Sequence, residues 1–254
     1  MQSSRLVCRT AVATALLAIT APAFSTPINM SSGEQNLQQI LNGITVGGHS
    51  SINVLTDQVA PDELWAAAAG GGSVSQIIIE LAGNRDVNSF GIYDAANPGN
   101  QLQLFSGPSG SGSRSIFAFL NDNCIELNMV TTGTCFNANR FGFYLQTDSH
   151  GPKWYSEVDL NADRSDHLVA YEGVGDWVDL PSTAPGPWGG DQYVLAFEDL
   201  PRSGWDYDYN DFVVMVNSVH EVPEPATITI MGMGLVALGI AVQRRRRAQV
   251  LGEK

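Results

Sequence analysis

Oxygen donors crowd one short stretch of this chain. Glu198-Asp199 is followed, after six intervening residues, by Asp206-Tyr207-Asp208-Tyr209-Asn210-Asp211. The stretch lies between two apolar runs, Gln192–Phe197 and Phe212–Val216, so it reads as a loop joining two strands. Alternate positions in an extended segment share a side, so Asp206, Asp208 and Asn210 can turn oxygens the same way. Glu198 or Asp199 can return across the hairpin, with Asp211 beside them. Hard oxygen ligands of this kind suit Ca²⁺. Without a cation, so many carboxylates in one loop repel one another. The same residue types also build Asx turns, in which Asp and Asn side chains hold backbone N–H groups. Both readings stand at this point.

A second acidic stretch runs Asp159-Leu160-Asn161-Ala162-Asp163-Arg164-Ser165-Asp166. Asp159, Asn161 and Asp163 match the opening of a calcium loop. The helical-hand pattern then fails, because Arg164 takes the place of its Gly and Ala170 that of its closing Glu. Glu198 with Asp206 or Asp208 could also form a glycosidase pair, but nothing in the sequence fixes the separation such a pair needs. The four histidines, His49, His150, His167 and His220, form no zinc-protease pattern, and no nucleophile elbow is present. The residues therefore point away from an enzyme. Trp154, Tyr155, Trp177, Trp188, Trp205, Tyr207 and Tyr209 lie in Gly- and Asp-rich sequence. They can stack on sugars or cover the ends of a core.

The surrounding elements are short. Val74–Leu81, Ser89–Tyr93, Gln101–Phe105, Ser115–Leu120, Cys124–Val130, Arg140–Gln146, His167–Tyr171, Gln192–Phe197 and Asp211–Val219 read as strands, separated by Gly, Pro, Asn, Asp and Ser. Leu37, Ile40, Leu41 and Ile44 follow helical spacing after a capping box at Ser32 and Gln35, with a stop at Gly43 or Gly47-Gly48. Pro61–Ala69 reads as a second short helix. The expected fold is mainly β: a single jelly-roll-like β-sandwich over residues 24–221, with one or two short N-terminal helices. Cys124 and Cys135 are the cysteines of that body, and an even number in an exported protein predicts a disulfide.

Both ends carry export signals. Residues 1–23 have a basic start at Arg5 and Arg9, an apolar run over Ala11–Ile19 and an Ala21-Pro22-Ala23 site, which together read as a secretory signal peptide. Near the C-terminus, Pro223-Glu224-Pro225 forms a helix-resistant head. An uncharged run over residues 226–242 follows, then Arg244, Arg245, Arg246 and Arg247. At about 1.5 Å per residue the run spans roughly 25 Å, near the lower limit for a membrane helix. The arginines would keep residues 248–254 cytoplasmic and the body outside. Of the 13 basic residues, two lie in the first 23 positions and five at or after Arg244. Of the 26 acids, only Glu224 and Glu253 lie beyond the body. The body thus holds six basic and 24 acidic residues, a net charge of −18, which repels nucleic acid and attracts cations.

The order Pro-Glu-Pro, apolar span, arginine block over residues 222–247 resembles the PEP-CTERM sorting signal of Gram-negative bacteria. An ordinary C-terminal anchor would share the span and the arginines but not the head. The resemblance implies an exosortase that cuts near Pro223-Glu224-Pro225. It also implies transient anchoring in the inner membrane, delivery to the cell surface, outer membrane or medium, and a link to exopolysaccharide and biofilm. Ser89-Phe90-Gly91-Ile92-Tyr93-Asp94, Phe141-Gly142-Phe143-Tyr144-Leu145, Asp166-His167, Ala196–Leu200 and Asp206–Phe212 are similar to an uncharacterised domain family, the domain of unknown function four-one-one-four. That likeness implies an extracellular β-rich body without an assigned reaction. The expectation is a non-enzymatic surface or matrix protein, calcium-stabilised. A carbohydrate-binding module is the alternative and a glycosidase the third reading.

Overall fold

The computed structural model describes residues 35–68, 73–80, 87–148, 150–222, 234 and 237–240. Residues 1–23, read above as a signal peptide, lie outside the described residues, as do Ser32, Pro223-Glu224-Pro225, the arginine block, residues 248–254 and most of the apolar run. Among the described residues no helix is long and apolar enough to cross a membrane.

The body is a β-sandwich. Its first sheet contains β1 (Trp65–Ala67), β3 (Ser89–Asp94), β4 (Asn97–Phe105), β8 (Phe141–Gln146), β9 (Lys153–Tyr155) and β15 (Val219–Glu221), in the order β15-β1-β8-β3-β4 with β9 also on β8. The second contains β2 (Ser73–Glu80), β5 (Arg114–Phe119), β6 (Cys124–Leu127), β7 (Val130–Cys135), β10 (Leu168–Glu172), β13 (Gln192–Phe197) and β14 (Phe212–Asn217), in the order β10-β13-β14-β2-β5-β6-β7. β11 (Asp176–Val178) and β12 (Gly186–Trp188) form a separate two-stranded ribbon. The paired strands run antiparallel. Aromatic rings lock the sheets together: Trp65 meets Tyr193 edge-on at 4.9 Å, and Phe90 stacks on Phe212 at 5.2 Å. Edge-to-face and offset stacking of this kind adds about 0.5–1.5 kcal/mol per pair beyond burial.

The second sheet is covered on both faces. Leu195, Phe197, Phe212, Val214 and Val216 face the inner core. Val169, Tyr171, Val194, Ala196, Val213 and Met215 face a second core closed by α1 (Leu37–Ile44) and Trp188. Double coverage explains why β13 and β14 read as near-continuous apolar runs rather than alternating ones.

Several local expectations are corrected. Pro61–Ala69 is not a helix, because Trp65–Ala67 pairs with β15 and β8 as β1. Burial of Trp65 between Phe143 and Tyr193 overrides the helical preference of its alanines. The capping box of α1 belongs to Asn36 and Gln39 rather than Ser32 and Gln35. The helix runs through Gly43 and ends at Thr45, whose hydroxyl donates to Leu41 O. The predicted strand Cys124–Val130 is a hairpin of β6 and β7. It turns at Asn128 and Met129, both at positive φ, the geometry of a two-residue hairpin turn. Cys124 and Cys135 face each other across that hairpin and are disulfide-bonded. Asp211–Val219 divides at Ser218, passing the chain from β14 in one sheet to β15 in the other.

A candidate cation-binding loop and its bracket

β13 ends at Phe197 and β14 begins at Phe212, so their antiparallel pairing fixes both ends of the acidic loop. Glu198 leaves β13 with its N–H donating to His167 O at 3.0 Å. Its side chain is 0% exposed, and its carboxylate oxygens meet no N–H or hydroxyl donor, only the Asp211 carboxyl beside them. Ligating atoms of Glu198, Asp206 and Asp208 lie within 4.8 Å of one another. Glu198 and Asp208 are buried and Asp206 is half-buried, so the cluster opens to solvent on the Asp206 side. Tyr207 and Tyr209, between and after these aspartates, both hold positive φ, 62° and 49°. Bulky residues adopt this left-handed region rarely and at a cost.

Burial pushes the Glu198 carboxyl far up, and the Asp211, Asp206 and Asp208 charges push it further. Asp211 is also raised, first by burial and then by Asp199. A buried carboxyl must therefore protonate or meet a cation. Three oxygen donors at this spacing fit part of a calcium shell, which takes six to eight oxygens.

The other acids of the loop serve its shape. Asp211 Oδ2 accepts Asp199 N at 2.8 Å, and Asp199 Oδ2 accepts Asn88 Nδ2 at 3.3 Å. Asn210 Nδ2 donates to Gln35 O at 2.7 Å and to Asp208 Oδ2 at 2.8 Å, while its buried Oδ1 has no partner. Asp199, Asn210 and Asp211 thus hold the turn, while Glu198, Asp206 and Asp208 converge, with Asp208 shared between the two sets.

The second acidic stretch is a bracket for the first. Asp159 is exposed and pairs with Arg164 at 3.3 Å. Asn161 is saturated: Oδ1 accepts Tyr155 N, and Nδ2 donates to Tyr155 O and Ser165 O. Asp163 accepts Ser165 N and Arg202 N and faces His167 Nε2 at 3.1 Å. His167 in turn bonds Glu198 O through Nδ1 at 2.9 Å, and Tyr209 donates to Asp166 O at 2.7 Å. No ligand cluster among the described residues includes Asp159 or Asp163.

The aromatics divide similarly. Trp154, Trp188 and Tyr209 are buried. Trp154 stacks flat on His167 at 3.8 Å and donates to Asp199 O. Trp177 is 53% exposed on the small ribbon, whereas Tyr155, Trp205 and Tyr207 are half-buried.

One ionisable pair escaped sequence reasoning. Asp62 is buried, and its carboxyl is pushed well up by that burial and by Asp166 beside it. The two are 104 positions apart, and no local pattern marks them. A raised folded-state carboxyl contributes stability below the usual carboxylate range, and the contribution is lost as pH rises through the shifted value. Asp62→Asn is therefore expected to flatten the decline in melting temperature above about pH 4, the ordinary carboxylate range. The variant should be more stable than wild type at pH 8 and no more stable at pH 4. Parallel curves would remove the buried charge as the cause.

The chain leaves the sandwich at the edge of the first sheet. Glu221 pairs with Trp65, and Val222 N donates to Leu64 O at 2.7 Å. Residues 221–247 match the PEP-CTERM protein-sorting motif. The chain carries a PEP-CTERM tail. This motif implies secretion, transient membrane anchoring and processing by an exosortase, with surface or extracellular release. The PEP-CTERM match begins on the last residue of β15, so the sorting signal follows the folded body without a linker. No curated protein matches the chain.

Proposed function

We propose that this protein is a non-enzymatic component of the extracellular matrix, associated with exopolysaccharide in biofilm or flocs and stabilised by Ca²⁺ at Glu198, Asp206 and Asp208. The PEP-CTERM tail carries the reading of its address. The signal peptide read over residues 1–23 supports the same route. The two buried oxygens of Glu198, which meet no N–H or hydroxyl donor, support the cation. Full burial of Glu198 also speaks against its serving as half of a glycosidase pair, because a glycosidic bond must reach both carboxyls.

Replacing Pro223 and Pro225 with Ala tests the address. The full-length form should accumulate in the membrane fraction, while wild type reaches the matrix fraction shortened at its C-terminus. Immunoblotting of the two fractions reads the result. Normal release of the variant would remove the sorting role of Pro-Glu-Pro, and wild type absent from the matrix fraction would remove the matrix role.

A further inference from the structure

We infer that the cation at Glu198, Asp206 and Asp208 is itself a sugar site, holding two vicinal hydroxyls of a neutral hexose unit against the rings of Trp205 and Tyr207. The inference rests on the cation reading above and adds the ligand class.

Coordination number makes the first argument. Calcium takes six to eight oxygens, and the converging side chains offer fewer. Glu198 and Asp208 are buried, so the remaining positions open on the half-buried Asp206 side. Glu198 supplies the observation that separates this loop from an ordinary acidic turn: a wholly buried carboxylate, aimed into the cluster, whose oxygens meet no N–H or hydroxyl donor.

The surroundings make the second. Asp206 is flanked by Trp205 and Tyr207, whose rings meet edge to face at 5.1 Å. Trp205 is held from behind. Its Nε1 donates to Leu200 O, and its ring meets His167 edge-on at 4.8 Å. His167 is stacked on Trp154. Trp205 and Tyr207 are half-exposed, on either side of the half-buried Asp206 in the chain. A fixed aromatic face suits the C–H face of a pyranose, and a divalent cation beside it suits paired hydroxyl oxygens. Charge selects the class. A body of net charge −18 repels an acidic polymer, whereas a neutral polyol approaches without penalty.

The test uses the processed protein recovered from culture, passed over immobilised mannan, galactan and dextran in Ca²⁺, in Mg²⁺ and in chelator. Calcium binding is measured separately by titration calorimetry. Retention on at least one glycan in Ca²⁺, falling about tenfold or more in chelator and in Mg²⁺, is the expected result. Trp205→Ala and Tyr207→Ser should lose retention by a similar factor while still binding Ca²⁺. Trp205→Phe, which keeps a ring, should hold more than Trp205→Ala, so a folding defect in one variant does not decide the matter. Calcium binding without retention on any of the three glycans overturns the sugar site and leaves the cation. So does retention that ignores chelator or survives both ring deletions. A protein that binds no calcium overturns both.

Discussion

Calcium added to the metal-free processed protein should raise its melting temperature by several degrees, and Glu198→Gln should abolish the response. A ligand that binds only the folded state stabilises it by about 2.7 kcal/mol at ~100 times its dissociation constant. For a body of this size that is a shift of roughly 5–10 °C. The variant separates a cation site from general charge screening. Gln fills the volume of Glu198 without the charge that burial and the Asp211, Asp206 and Asp208 neighbours disfavour. Its folded-state carboxyl is raised, so metal-free wild type loses stability as pH climbs from the ordinary carboxylate range toward the shifted value. Glu198→Gln lacks that slope and should melt higher than metal-free wild type at pH 8. Calcium should bind wild type more tightly as pH rises, because the Glu198 carboxyl, raised by burial, releases its proton on ligation. Scanning calorimetry with Ca²⁺ and with chelator at two pH values reads all of this. A full calcium response in Glu198→Gln, or none in wild type, would return the loop to a turn network.

How much of this was legible depended on how local the cause was. Gln192–Phe197 was readable residue for residue, because aromatic and β-branched side chains bounded by turn residues carry their own signal. Residues 61–69 misled, because strand β1 exists only through partners far along the chain: Phe141 and residues 219–221. β9, β11, β12 and β15 are three residues each and have no pattern of their own. In the acidic loop, alternation placed Asp206 and Asp208 together, and the hairpin brought Glu198 beside them. Alternation did not show that Asp211 would turn to Asp199 N, or that Asn210 would reach Gln35, 175 positions away. The letters Asp159, Asn161 and Asp163 were those of the opening of a calcium loop. Asn161 spends its whole amide on Tyr155 and Ser165, a fact of tertiary position that no spacing reveals.

The Phe-Gly-x-Tyr stretches at 90–93 and 141–144 do carry a readable cause once their pairing is known. β3 and β8 run antiparallel so that Gly91 faces Tyr144 and Gly142 faces Tyr93. Each tyrosine ring lies over the other strand's glycine, filling the space a side chain would take. A methyl on Gly91 would stand 2.3 Å from Leu102 backbone O and 2.7 Å from the Tyr144 ring. One on Gly142 would stand 2.2 Å from the Tyr93 ring and hydroxyl. Tyr93 cannot swing away freely, because it is wholly buried and its hydroxyl donates to Glu157 at 3.0 Å. Both Gly→Ala variants are therefore expected at the severe end of overpacking, about 3 kcal/mol or more. The two should differ in rescue. Tyr93→Ala removes the atoms that block Gly142, so Gly142→Ala should cost far less in that background, a coupling of about 1–3 kcal/mol. Gly91→Ala should stay costly in a Tyr144→Ala background, because a backbone carbonyl of β4 still blocks it. Urea midpoints of the single and double variants measure both cycles. If Gly142→Ala keeps its full cost after Tyr93 is removed, the ring is not what the glycine makes room for. The first sheet would then be held by something other than these reciprocal Gly–Tyr pairs.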